Sequence, residues 1–379
     1  MIRRFLDVRG VRLRCLLRKL SEGAIWLPLV LVLGAIAVVG YADHLIASMS
    51  LIYLYILPLV ISAVFLRREI SCGLIPICIL LHDYFSPRII NLALRIFHNG
   101  SALLCFFIVV YVIQRYIREK EVLAKRVQQQ RDDLLHDVEL AAQVQRMFLP
   151  SGKPGIAGLE VAGMMKPAKG LSGDYYDYIP INAHTLQTVI ADVSGKGVSA
   201  ALLMSATAAA THIEVNHERD MLEVVERLNT GIRSVSDGEH FVTLLLAEIN
   251  TQRRTLRYVN CGHNPAFLFQ SETGKVTLLN SSCVPIGISA EENCQLASVG
   301  LATGDILVFY TDGITEAQND AGEEFGTKRL AAILENGFSL SAEGLMSTIF
   351  SKAADFCSHI GFADDATILI VKCNFEKSW

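Results

Sequence analysis

The sequence predicts two unlike parts in one chain: an α-helical membrane module, then an α+β domain built on antiparallel sheets. Three observations carry this reading. The chain has 379 residues and is 51% hydrophobic, yet the apolar excess is gathered between residues 24 and 113. Basic residues cluster at the ends of the apolar runs, and only Arg95 lies within one. From residue 156 onward the pattern changes to many short β-like stretches separated by turn residues, with only a few helical stretches. Many strands joined by turns favour an antiparallel α+β domain over a doubly wound parallel sheet.

Taken in order, residues 1–23 are a basic cytoplasmic N-terminus, where Arg3, Arg4, Arg9, Arg12, Arg14, Arg18 and Lys19 face Asp7 within the first twenty positions. Apolar runs follow at 24–41, 45–66, 70–81 and 89–113, forming a sensory module of four transmembrane helices. The run at 70–81 is short enough to be a re-entrant or interfacial segment instead. Arg67 and Arg68 follow the second run, and Arg115, Arg118 and Lys120 follow the last. All three basic clusters share one side only with four spans, so the positive-inside bias places both chain ends in the cytoplasm. The expectation is a multi-pass protein of the cell (inner) membrane with a cytoplasmic catalytic domain. A cleaved signal peptide does not fit the long basic start. Asp43, His44, His82 and Asp83 then fall at the outer ends of the spans, with Arg95 and His98 deeper. They mark loop boundaries, snorkelling to the interface, or form an outward-facing sensor of a ligand or of pH.

Residues 114–149 read as a helical linker, without Gly or Pro as far as Met147. Val127, Gln130, Leu134, Asp137, Ala141, Val144 and Phe148 alternate at spacings of three and four, a heptad seam with two polar members. This predicts a weak coiled coil and a homodimer through 114–149; one amphipathic helix packed on its own domain would give a similar pattern. Pro150, Gly152, Pro154 and Gly155 stop the helix and open a domain at 150–379.

Within that domain, strands are expected at 159–165, 186–193, 242–250, 255–259, 266–269, 276–279, 306–310 and 366–371, and helices at 199–212, 221–233, 328–335 and 342–356. Four aspartate motifs lie at or beside strand ends: Ser172-Gly173-Asp174, Asp192-Val193-Ser194-Gly195, Thr311-Asp312-Gly313 and Asp364-Asp365. One Asp-Gly pair is first a turn signal. Four that converge on folding make an oxygen-ligand metal centre, because glycine lets backbone approach closely and carboxylates bind hard cations. The net charge of −4 gives no basis for a nucleic-acid role. The nine cysteines show no CxxC pair or Cys/His ligand spacing, and the cytosolic ones are expected to be reduced.

Ser172-Gly173-Asp174-Tyr175-Tyr176-Asp177, Asp192-Val193-Ser194-Gly195-Lys196-Gly197, Asn260-Cys261-Gly262-His263-Asn264-Pro265, Phe309-Tyr310-Thr311-Asp312-Gly313 and Asp364-Asp365-Ala366-Thr367 occur in that order. Over residues 140–374 the chain resembles the bacterial PP2C-type serine/threonine phosphatases that regulate sigma factors, the SpoIIE and RsbU group. The stretch from Ala141 to Pro150 is similar to the helix that precedes the domain there. The resemblance implies a PP2C-like αββα sandwich of two antiparallel sheets flanked by helices, with two divalent cations, Mn²⁺ or Mg²⁺, between the sheets. It implies catalysis at Asp174 and Asp192 through metal-activated water, with Asp192 bridging both metals. Val193 would add its carbonyl, and Asp312 and Asp364 would hold the second metal. Ser172 replaces the first Gly of the usual Gly-Gly-Asp. Asp177, Gly195 and Asp365 are candidates to orient ligands or water, and Lys169 and Lys196 are candidate phosphate contacts whose plain reading is solvated lysine. His263 reads as a structural turn between sheets.

The resemblance also implies a phosphoserine or phosphothreonine protein as substrate, in particular a STAS-domain anti-sigma-factor antagonist. A different class stays open: a catalytically silent membrane receptor or scaffold that binds a phosphoprotein. Hydrolysis of a small phosphorylated metabolite also stays open.

Overall fold

A computed structural model describes residues 26–46, 51–85, 92–216, 220–236, 238, 240–290, 293–357 and 361–375. The basic N-terminal cluster lies outside the described residues. The chain divides into two compact units, Met1–Asp133 and Leu134–Trp379; the second therefore takes in the last turns of the predicted linker.

In the first unit, helix α1 (Trp26–Leu45) is followed by a short 3-10 turn (Ile52–Tyr55) running into α2 (Ile56–Phe65), then α3 (Arg68–Phe85) and α4 (Leu92–Arg146). Val32 and Ile36 of α1, Leu59 of α2, Ile75 and Cys78 of α3, and Phe106 and Val110 of α4 pack into one apolar core. Trp26, Val30, Leu31, Leu57, Leu80, Phe97 and Leu104 remain exposed around it. Apolar side chains inside and outside are the mark of a helix bundle compatible with a lipid surround. By length and composition α1 and α4 qualify as spans, and so does Val198–Val215 of the second unit. That last helix buries Ala200, Met204, Ala208 and Val215 against a sheet, so its hydropathy is spent inside the domain.

The second unit is a sandwich of two five-stranded sheets. In sequence order the strands are β1 (Leu159–Lys166), β2 (Asp174–Asn182), β3 (Thr185–Val193), β4 (Val242–Asn250), β5 (Thr255–Cys261), β6 (Ala266–Gln270), β7 (Lys275–Leu279), β8 (Ala297–Gly300), β9 (Ile306–Tyr310) and β10 (Ala366–Cys373). One sheet runs β1-β10-β9-β6-β7 and the other β2-β3-β4-β5-β8, and every named pair is antiparallel. Alternation along each strand builds three layers of core. Leu186, Ile190, Leu245, Leu307, Phe309 and Leu369 meet between the sheets. Val189, Ala191 and Val193 turn outward to α5 (Val198–Val215) and α6 (Met221–Val235). Val308, Ile368 and Ile370 turn outward to α8 (Gly326–Gly337) and α9 (Ala342–Cys357), with the short α7 (Asp312–Thr315) following β9. The αββα sandwich is thus present.

The sequence reading leaves out two strands. β8 is four residues on a sheet edge, too short to show a period. β2 begins inside an aspartate motif, and its Asp-Tyr-Tyr-Asp run reads as ligand chemistry rather than alternation. Its register matters most, because it sets Asp174 directly opposite Asp192.

Candidate metal centre

Four chain segments bring the acids to one end of the sandwich. Asp174 opens β2 and Asp192 lies near the end of β3. On the facing sheet, Asp312 follows β9, and Asp364 and Asp365 precede β10. By strand parity Asp174 and Asp192 share the inward face with Tyr176 and Ile190, which lie in the core between the sheets.

Asp174 is buried, and its Oδ2 accepts hydrogen bonds from Thr311 Oγ1 at 2.7 Å and Thr367 Oγ1 at 2.5 Å. Burial, then the nearby Asp192, raises its carboxyl well above the ordinary range, against the pull of the two hydroxyls. Burial, with Asp312, Asp364 and Asp365 around it, pushes Asp192 up to about 7, while a hydrogen bond with Asp174 works the other way. Asp312 is raised by burial and by Asp364. Lys196 meets Asp364 at 2.5 Å on the exposed rim. The net effect is a group of like charges drawn out of water with too little positive charge beside them, the condition a divalent cation relieves.

The donors fit such an ion. They are carboxylate and carbonyl oxygens, hard ligands suited to Mg²⁺ or Mn²⁺. The peptide of Val193 faces Gly173, where an added Cβ would lie 3.2 Å from the Val193 carbonyl oxygen. At Gly313 a Cβ would stand 1.9 Å from the Asp365 carbonyl oxygen, so only glycine lets the two segments meet. Among the described residues, the tight group of three ligand atoms, all within 4.8 Å of one another, is a different one: Cys261, Cys283 and Cys294.

Asp365 holds backbone, accepting from Ala168 N at 2.7 Å and Gly173 N at 2.8 Å, and so ties the turn before Asp174 to the facing sheet. Gly195 takes φ +97° in the turn after Asp192. Lys169 is exposed beside Ala168. Asp177 lies apart from the acids, contrary to the expectation of an orienting role. Parity sends it to the outer face of β2, where Tyr175 Oη donates to it at 2.9 Å and His212 Nε2 lies 2.7 Å away.

Ser172 is better placed than its departure from Gly implied. Its hydroxyl accepts from Asp174 N at 3.1 Å, while Gln145 grips its backbone from both sides. Gln145 Nε2 donates to Ser172 O at 2.6 Å, and Ser172 N donates to Gln145 Oε1 at 3.0 Å. Ala142 and Val138, one and two turns earlier on α4, pack with Leu171 and Ala201. Sequence reasoning missed Gln145, Thr311 and Thr367 as supports, although both threonines lie in the motifs.

His263 links the sheets. Its Nε2 donates to Tyr310 O at 3.2 Å, and Thr243 Oγ1 lies 2.9 Å from its Nδ1 and 3.3 Å from Asp192 O. Burial pulls its imidazole down to about 4, so it is neutral near pH 7 and its Nε2–H is the donor.

Residues 182–374 match the family described as Stage II sporulation protein E (SpoIIE). The chain is 28% identical over 243 residues to phosphoserine phosphatase RsbU of Bacillus subtilis, covering 63% of this chain and 71% of that one. It is 28% identical over 185 residues to phosphoserine phosphatase RsbP of the same organism, 48% of this chain and 45% of that one. Among solved structures, the SiaA PP2C domain of Pseudomonas aeruginosa superposes with a TM-score of 0.57 at 22% identity, covering 65% of this chain and 98% of that one. The PP2C phosphatase domain of SpoIIE from Bacillus subtilis, with a fragment of its regulatory domain, gives 0.51 at 20% identity over 58% and 64%. These likenesses are in the fold.

Proposed function

The chain belongs to the SpoIIE family of PP2C-type serine/threonine phosphatases, and from that premise we propose that it is a membrane-anchored, metal-dependent phosphatase acting on a regulatory phosphoprotein. The observation that carries this is the β2–β3 register, which sets Asp174 against Asp192 between the sheets with Asp312 and Asp364 opposite. Asp174, Asp192 and the Val193 carbonyl would hold one divalent cation, and Asp192, Asp312 and Asp364 the other. Such a pair supplies positive charge that generates a nucleophile from water and offsets charge on the phosphoryl oxygens.

The protein's own residues prepare that site. Thr311 and Thr367 fix the Asp174 carboxylate, and Asp365 holds Gly173 so that the Asp174 turn keeps its distance from the facing sheet. Lys196 lies on the rim beside Asp364, and from there it would meet a phosphate. None of these steps needs a protein nucleophile.

Relatives named phosphoserine phosphatases support a phosphoserine or phosphothreonine protein as substrate, and the sigma-factor setting of the resemblance supports a STAS-domain anti-sigma-factor antagonist. The exposed seam of Val127, Leu134 and Val144 supports a homodimer through the linker. The apolar helices at 26–113 support a multi-pass anchor with the catalytic unit in the cytoplasm. The test is phosphate release by the full chain in lipid from a phosphoserine STAS protein, with Mn²⁺ or Mg²⁺ and with chelator. Release that the chelator stops is expected. A folded chain that binds the phosphoprotein without releasing phosphate would make it a scaffold.

A further inference from the structure

The sequence gives no reason to pair cysteines in the catalytic unit, yet the structure closes a disulfide between Cys283 and Cys294, eleven residues apart. The buried Cys261 brings a third sulfur to the same group, all within 4.8 Å of one another. In a cytoplasmic domain a disulfide is rarely structural; it is more often a transient or sensing bond. Its position here is informative. Cys261 ends β5, and the segment after β7 runs beside it. Ser282 N and Cys283 N both donate to Asn260 O, at 2.9 and 3.1 Å. Three residues later Ile286 pairs with Val242 in both directions, each N–H to O contact being 2.9 Å.

The two neighbours of Val242 hold the metal loop. Phe241 N donates to Ser194 Oγ at 2.8 Å, and Ser194 N donates to Phe241 O at 2.9 Å. On the other side Thr243 Oγ1 lies 3.3 Å from Asp192 O. A ladder of hydrogen bonds thus runs from the disulfide, through Ile286 and Val242, to both flanks of Val193. We propose that Cys261, Cys283 and Cys294 form a thiol–disulfide exchange site for a cytosolic dithiol, and that this site sets the order of the 192–194 metal loop. The proposal rests on the cytoplasmic phosphatase reading above.

The chemistry closes without further reactants. A dithiol, as thiolate, attacks one of the half-buried sulfurs of Cys283 and Cys294, forming a mixed disulfide while the other sulfur leaves as a thiolate and takes a proton. The second dithiol sulfur then displaces the first cysteine. The protein gains two electrons and two protons as two thiols, and the dithiol departs as a cyclic disulfide. The Cys261 thiol offers an internal exchange: it loses its proton as it displaces one bonded sulfur, which leaves as a thiolate and takes a proton, with no net change in oxidation state. Once reduced, Cys283 and Cys294 are no longer tied to each other, and the Ile286–Val242 pairing loses a constraint.

The experiment uses the full chain in lipid nanodiscs, as isolated and after dithiothreitol, with the reagent removed before metal is added. Alkylation and peptide mapping report the bond, hydrogen exchange reports residues 194 and 241–243, and p-nitrophenyl phosphate hydrolysis reports the Mn²⁺ half-saturation. Reduction is expected to open Cys283 and Cys294 to alkylation, speed exchange at Ser194 and Val242, and raise the half-saturation several-fold. The joint Cys283→Ser, Cys294→Ser variant should match the reduced protein with or without dithiol. Identical exchange and half-saturation in mapped oxidised and reduced wild type would overturn the proposal, as would free Cys283 and Cys294 thiols in the protein kept under oxidant. A chain that hydrolyses nothing in either state counts against the phosphatase reading, while hydrogen exchange still decides the coupling.

Discussion

Buried charge is handled in opposite ways in the two units. In the helical unit the buried Asp43 meets the buried His82 at 2.6 Å and also accepts from Leu51 N at 3.2 Å. Asp83 there is held by Arg95 and, at 3.2 Å, by Asn99. Arg95 matches the charge of Asp83, and His82 gives Asp43 a polar partner inside the unit. In the catalytic unit Asp174, Asp192, Asp312 and Asp364 share one end of a sandwich, with Lys196 on the rim. Matched charge needs nothing further for stability, whereas unmatched like charge is a standing destabilisation that only a ligand justifies. That contrast separates a unit whose polar residues can be architectural from one whose polar residues are chemical.

The strongest way to break the comparison is Asp192→Asn. It should lower phosphate release on the order of a thousandfold, since several kcal/mol of cation charge would be misplaced. The same change should raise the metal-free thermal midpoint by about 2–4 °C, because it removes repulsion. Loss of activity together with loss of stability would mean that the acids are not in conflict. In the helical unit the signs reverse. His82→Leu leaves the buried Asp43 without its hydrogen-bond partner and should cost about 1–3 kcal/mol, while Asp43→Asn with His82→Leu should cost less. Thermal denaturation in detergent distinguishes the two; equal costs would show that the pair carries no electrostatic weight.

His263 represents a third treatment, burial as a neutral ring. Its folded value of about 4 lies below the ordinary 6.5, so the unfolded chain binds the extra proton between those limits. Its contribution is therefore full above about pH 6.5 and is lost as pH falls towards 4, about 3 kcal/mol in all. The stability difference between wild type and His263→Asn should shrink by that amount across the window in denaturant titrations. Asp192 runs the other way, since a raised carboxyl binds its proton first in the folded state, which is why the difference and not the raw curve is the observable. The smallest effect is expected at Gln145→Leu, which leaves the buried N–H and C=O of Ser172 without their partner. It should cost about 1–3 kcal/mol and raise the Mn²⁺ half-saturation; unchanged metal affinity would reduce Gln145 to a packing residue.

Much of this was legible in the sequence where chemistry and local pattern coincide. The acids stood out because aspartate beside glycine at a strand end is a local arrangement. The apolar runs stood out because a span is a property of consecutive residues. The grouping of Asp43 with His82 followed from topology alone, and the structure gives it a partner-by-partner form. What was not legible depends on register or on distant pairing. With β2 unread, the family resemblance alone told Asp174 from Asp177, whereas parity sends one between the sheets and the other to Tyr175 and His212. The pairing of Cys283 with Cys294, and the reach of Gln145 to Ser172, are fixed by how a loop and a helix fold back, which no spacing rule records.

The central claim is that the catalytic unit carries carboxylates waiting for divalent charge. The most direct measurement is calorimetric titration of the full chain with Mn²⁺ near pH 7, repeated in buffers of different ionisation enthalpy so that released protons are counted. Because burial and the surrounding acids push Asp192 up to about 7, binding near that pH should release protons, and Asp192→Asn should lose both the binding and the release. Binding that is absent in wild type, or that survives unchanged in Asp192→Asn, would contradict the account.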